Sequence, residues 1–112
     1  MTDKKPILKF NKLWSKLTDE VLKDNDDRFV VIRDISAARF YPGKTDIEVQ
    51  VNGERIFDVR LKAKKPVKRL DLTDDMTLAD SRMFVRKFRM MRPNIDEFIY
   101  MEFKRIGESD EN

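Results

Sequence analysis

Apolar and polar residues alternate most cleanly over residues 45–61, TDIEVQVNGERIFDVRL, on either side of Asn52 and Gly53. Both of these residues tolerate positive φ, so two strands joined by a tight hairpin are predicted. A two-residue turn pairs Val51 with Glu54 and mixes Glu54, Ile56, Asp58 and Arg60 into the face of Ile47, Val49 and Val51. A three-residue loop with one bulged residue pairs Val51 with Arg55, Val49 with Phe57 and Ile47 with Val59. That register gathers Ile47, Val49, Val51, Phe57, Val59 and Leu61 on one side. It also sets Glu48 against Asp58, at a cost of up to ~1 kcal/mol. Six apolar side chains buried at ~1.5–3 kcal/mol each outweigh that cost. The bulged register is therefore expected, in a sheet with one buried face.

Upstream, Ile7, Phe10, Trp14, Leu17 and Val21 recur at helical spacing, with Lys9, Lys12, Lys16 and Lys23 elsewhere on the wheel. The spacing predicts an amphipathic helix from Ile7 to Lys23 packed on the sheet. Its lysines come early and Asp19 and Glu20 late, against the helix dipole, so it leans on tertiary contacts. Phe29 to Ile35 is predicted as a strand, Ser36 to Gly43 as a loop, Lys62 to Pro66 as a basic connector and Val67 to Leu72 as a short strand. Residues 98–106 alternate as a strand, with Ile99, Met101 and Phe103 on one face. Residues 83–91 fit two patterns. A helix N-capped at Thr77, with Asp80 three residues on, places Phe84, Phe88 and Met91 on one face. A strand is favoured slightly, because 98–106 needs a partner. The expected fold is α+β: an N-terminal helix on an antiparallel sheet of about five or six strands. One domain, 1–112, is expected, with residues 1–5 and 107–112 as disordered tails.

Composition narrows the chemistry. The 112 residues contain no cysteine and no histidine. Disulfides and thiolate metal sites are thereby excluded, as are the commonest general base and metal ligand. No apolar run approaches the ~20 residues of a membrane span, and the opening MTDKKP lacks the apolar core of a signal peptide. A cytoplasmic protein is expected. The net charge of +3 is unevenly spread: residues 1–54 are neutral, residues 55–105 carry a surplus of +6, and the last seven residues carry −3.

Ala38 to Thr45 matches the loose P-loop pattern, yet Thr45 leads into a strand, Pro42 lacks an amide hydrogen, and Arg39, Phe40 and Tyr41 are bulky where the backbone must curl around phosphate. The match is read as a turn before the hairpin. Aspartates 24, 26 and 27, and 74, 75 and 80, sit in segments read as polar connectors, without EF-hand spacing. Catalysis and cofactor binding have no support in the sequence.

Basic residues carry the remaining signal. Lys62, Lys64, Lys65, Lys68 and Arg69 fall close together, and Arg82, Arg86, Arg89 and Arg92 follow among Phe84 and Phe88. Cations neutralise phosphates and aromatic rings stack on unpaired bases, so these nine residues form a candidate surface for single-stranded nucleic acid or RNA. Phe84 and Phe88 themselves are read first as core. The expected function is a small, non-catalytic nucleic-acid-binding protein. The alternative is a protein-interaction module, such as a structural subunit or an inhibitor of a larger assembly, docking or self-associating through Phe10 and Trp14 or a sheet edge.

Overall fold

The computed structural model describes residues 5–106. The disorder expected of residues 1–5 and 107–112 lies, Lys5 apart, outside the described residues. In chain order the elements are β1 (Ile7–Phe10), α1 (Asp19–Asp24), β2 (Arg28–Asp34), β3 (Ile47–Val51), β4 (Glu54–Lys68), α2 (Asp74–Ser81), α3 (Val85–Met90) and β5 (Glu97–Arg105). Short 3-10 turns occupy Ser15–Leu17, Ile35–Phe40 and Arg69–Asp71. The strands form one sheet in the order β1-β3-β4-β5-β2. The α+β class stands. The sheet is mixed rather than antiparallel, because β1 runs parallel to β3.

The expected N-terminal helix is not formed at Ile7: Leu8 and Phe10 pair with Val49 and Val51 as a strand. Only Asp19–Asp24 is α-helical, and it puts Asp19 and Glu20 in its first turn, where the dipole favours acids. Starting the helix late removes the charge conflict that a helix from residue 7 would carry.

At the hairpin Asn52 and Gly53 both adopt positive φ (53° and 85°), and Val51 pairs with Glu54, so the turn has two residues. Beyond a bulge, Val49 faces Phe57, Glu48 faces Asp58 and Ile47 faces Val59. The extra residue is thus Ile56, three positions past the turn, and not a third loop residue. The Asn-Gly pair satisfies the turn, the apolar face demands one slip, and the bulge supplies it inside β4. Glu48 opposite Asp58 is relieved by Lys5, whose ammonium bonds Asp58 at 2.7 Å.

β4 runs straight through the stretch expected to be a connector. A second bulge, between Leu61 and Ala63, changes which side chains face which way. Val59 and Leu61 face one core, whereas Val67 faces the opposite one. Pro66 falls where β4 has β5 as its only strand neighbour, so a missing N–H is tolerated.

The sheet buries both faces. On one, Leu8, Phe29, Val31, Ile47, Val49, Val59, Met101 and Phe103 pack with Leu17, Leu22 and Tyr41. On the other, Ile32, Val67 and Phe98 meet Leu72 and Phe88 from the α2–α3 layer. The alternation along β5 feeds both: Ile99, Met101 and Phe103 one way, Phe98 and Tyr100 the other. The sheet curls until its two outer strands come within reach of a side chain, and Arg33 of β2 donates to the Lys9 carbonyl of β1 at 3.0 Å.

Residues 85–90 are helix, against the strand slightly favoured from sequence. The deciding groups lie outside the segment. Asp74 Oδ1 accepts the Val85 N–H at 2.8 Å at the start of α3, and the Arg69 guanidinium holds the Arg89 carbonyl in its last turn and the Arg92 carbonyl beyond it. α2 begins one turn earlier than expected, capped by Thr73, whose hydroxyl accepts the Met76 N–H. It ends at Arg82 in the left-handed region (φ 59°), a place glycine usually takes.

Candidate nucleic-acid interface

The nine cations singled out by sequence do not form one surface, because several are committed to the protein's own carbonyls. Arg69 donates to the carbonyls of Arg92 (2.5 Å), Ile95 (3.1 Å) and Arg89 (2.8 Å), closing the C-terminal end of α3. Arg89 returns the contact, its Nε bonding the Arg69 carbonyl at 3.1 Å. A guanidinium with five donors suits this work, reaching one carbonyl in the last turn of α3 and two in the segment that follows. Arg92 lies over the Phe88 ring at 3.9 Å, half-buried, and burial pushes its pKa below the ordinary arginine value. Lys64 reaches the carbonyls of Ala38 and Tyr41 at 3.3 and 3.4 Å.

Lys62, Lys65, Lys68, Arg82 and Arg86 remain exposed, as does Lys87. Lys65 sits above the Tyr100 ring (5.6 Å), on the sheet face that carries the α2–α3 layer. The aromatic partner nearest in sequence to the arginines is Phe84. Sequence reasoning placed it in the core, but it is 63 % exposed at the N-cap of α3, while Phe88 alone is buried. The connection from α2 to α3 and the first turn of α3 therefore present Arg82, Phe84, Arg86 and Lys87 to solvent, with no carboxylate paired to any of the three cations among the described residues.

Phe10 and Trp14, the alternative docking residues, are half-buried against the first core. Each also has cations at its ring: Lys12 lies 3.8 Å from Trp14, and Arg33 5.4 Å from Phe10. Leu13, between them in sequence, is exposed, and a further group of exposed apolar side chains, Leu70, Met90 and Met91 at 81, 71 and 57 % exposure, flanks the Arg69–Arg89 tie.

One site was not legible in the sequence at all. Lys16, assigned to the polar side of a helix, is partly buried, and its ammonium donates to the carbonyls of Val30 (2.6 Å) and Asp80 (2.5 Å) and to Asp80 Oδ1 (3.3 Å). The same Oδ1 accepts the Ile32 N–H at 2.9 Å. Asp80 therefore belongs to no connector. Together the pair occupies backbone groups on the open edge of β2, which strand addition would otherwise use. Burial pushes the Lys16 pKa below its ordinary value, although Asp80 pulls the other way. Other acids are similarly engaged: Asp27 pairs with Arg105 at 2.8 Å, and Asp26 lies 3.7 Å from Arg28.

The P-loop-like segment runs from a 3-10 turn through Lys44 (φ 65°) into β3, so no helix N-terminus faces it. Among the described residues, no helix is long and apolar enough to cross a membrane. No protein-family model, curated protein or solved structure matches the chain.

Proposed function

We propose that this protein is a small, non-catalytic, cytoplasmic nucleic-acid-binding protein that holds single strands on the α2–α3 connection. The observation that carries this reading is Phe84, a ring left in solvent between exposed Arg82, Arg86 and Lys87. An exposed aromatic ring lies ready to stack on an unpaired base, and the cations around it neutralise the adjoining phosphates. Lys65 and Lys68, at the end of β4, extend the basic surface. Arg69, Arg89 and Lys64 take no part in it, because their donors are held by carbonyls.

The test is retention of a short poly-dT or poly-U oligonucleotide across a salt series. Affinity should fall with salt, with a slope of ~0.7 for each neutralised phosphate. The double variant Arg86→Glu/Lys87→Glu is expected to bind at least ~10-fold more weakly with a shallower slope, and Phe84→Ala to lose ~1–3 kcal/mol. All three side chains are exposed, so the thermal midpoint should hold. Absence of binding at low salt would remove the proposal.

The exposed Leu70, Met90 and Met91 favour a second reading, an apolar face offered to a protein partner. Under that reading oligonucleotides do not bind, and Met90→Glu, not Arg86→Glu, disrupts function.

A further inference from the structure

Lys9 of β1, Arg33 of β2 and Arg92, which follows α3, come from distant parts of the chain. All three line one groove of about 650 Å³ along the seam between β1 and β2. Ligand pockets for small molecules run from ~300 to ~1,000 Å³, so the volume suits a molecule of nucleotide size. No carboxylate pairs with any of the three cations among the described residues. The two acids that line the groove are engaged elsewhere: Asp80 with Lys16 and Ile32, Asp34 with the Ser36 N–H. Arg33 commits one N–H to the Lys9 carbonyl and Arg92 one to the Phe88 carbonyl, which leaves most donors of both guanidinium groups available. Burial lowers the pKa of Arg92, the charge of Asp80 works against that, and Arg33 is close enough to add to the lowering. Four cations (Lys9, Lys16, Arg33 and Arg92) line the groove against two acids, Asp34 and Asp80, so positive charge is in surplus and an anion between the cations reduces their repulsion. The groove also has rings, Phe10 and Trp14, and two neutral amides, Asn11 and Asn52.

We propose that this groove binds a phosphate monoester carrying a flat ring, the chemistry of a nucleoside 5′-monophosphate. Arg33, Arg92 and Lys9 hold the phosphate, the ring lies against Phe10 and Trp14, and the amides of Asn11 and Asn52 are placed to bond its polar edge. The site does not depend on the α2–α3 surface. Either can fail while the other stands, since one is tested with free nucleotide and the other with oligonucleotide and a different set of variants.

Trp14 is the only tryptophan, so its fluorescence, excited at a wavelength nucleotides do not absorb, reports on the groove. Titration with AMP is expected to give a saturable change with a Kd of about 1 mM or tighter, and adenosine to bind at least ~10-fold more weakly. Lys9 is exposed and makes no side-chain bond in the described structure, so Lys9→Glu should keep the thermal midpoint while weakening AMP at least ~5-fold. Arg92→Gln should weaken it further if it folds. A 5′-phosphorylated dinucleotide run alongside identifies the source. Affinity equal to that of AMP assigns the groove to a strand terminus, and much weaker binding assigns it to free nucleotide; both support the site. No saturable change with AMP, equal affinity for AMP and adenosine, or unchanged AMP binding in Lys9→Glu would each overturn it.

Discussion

Replacing Asp80 with alanine is expected to lower stability by ~3–5 kcal/mol, a large share of the ~5–15 kcal/mol typical of a whole domain. The carboxylate neutralises a lysine whose side chain is only 13 % exposed, and it is the acceptor of the Ile32 N–H. Its loss leaves an ammonium with carbonyls but no counter-charge, and a strand N–H with no acceptor. The opposite change, Lys16→Met, should cost clearly less, because Asp80 keeps the Ile32 N–H and faces the groove, where water can reach it. Thermal unfolding of both variants checks this: the midpoint of Asp80→Ala should fall by at least ~10 °C and below that of Lys16→Met. A midpoint within a few degrees of the parent would mean that the pair does not hold β2 to α2.

The second large effect is expected at the hairpin. Val49 is fully buried opposite Phe57, so Val49→Asp places an unpaired carboxylate in the first core and should unfold the protein or nearly so. Gln50 sits on the other side of the strand, and its amide donates to Glu48 at 2.7 Å. Gln50→Asp forfeits that bond and adds a like charge, a loss of ~1 kcal/mol. Urea denaturation of the two should differ by at least ~3 kcal/mol. Similar midpoints would contradict the register in which Val49 faces inward.

The hairpin shows why part of the fold was legible in the sequence. Alternation of apolar residues reports which face is buried, so the pairings of Ile47 with Val59 and Val49 with Phe57 could be read. It does not report where the compensating residue sits, and the bulge at Ile56 was assigned to the turn. At the N-terminus the spacing of Ile7, Phe10, Trp14 and Leu17 fits a helix, whereas the observed strand depends on pairing with residues about forty positions later. Local pattern carries no trace of such a partner. The same holds for α3, whose ends are secured by Asp74 and Arg69.

The candidate interface was legible as composition but not as geometry. Charge counts treat Arg69 and Arg86 alike, yet one is held by three carbonyls and the other is exposed. Phe84 and Phe88 look equivalent in sequence and end on opposite sides of the solvent boundary. The groove gave no signal, since no local spacing connects Lys9 in β1, Arg33 in β2 and Arg92 after α3, and Arg92 stood only among the nine surface cations.

β5 is the last strand among the described residues and lies between β4 and β2. Among the described residues β2 pairs with no other strand, so during synthesis it emerges early and waits, unpaired, until residues 97–105 arrive. The β4–β5–β2 side of the sheet is thus the last part that can close, and its assembly depends on contacts between distant stretches of chain. Loop-closure entropy must be met before those contacts form, which slows folding. Stopped-flow refolding is accordingly expected on the scale of milliseconds to seconds; full recovery of the sheet signal within the dead time would contradict a slow, long-range closure. Until then β2 is an apolar strand without its neighbour, and Lys16 can cover its far edge only once Asp80 has also been made.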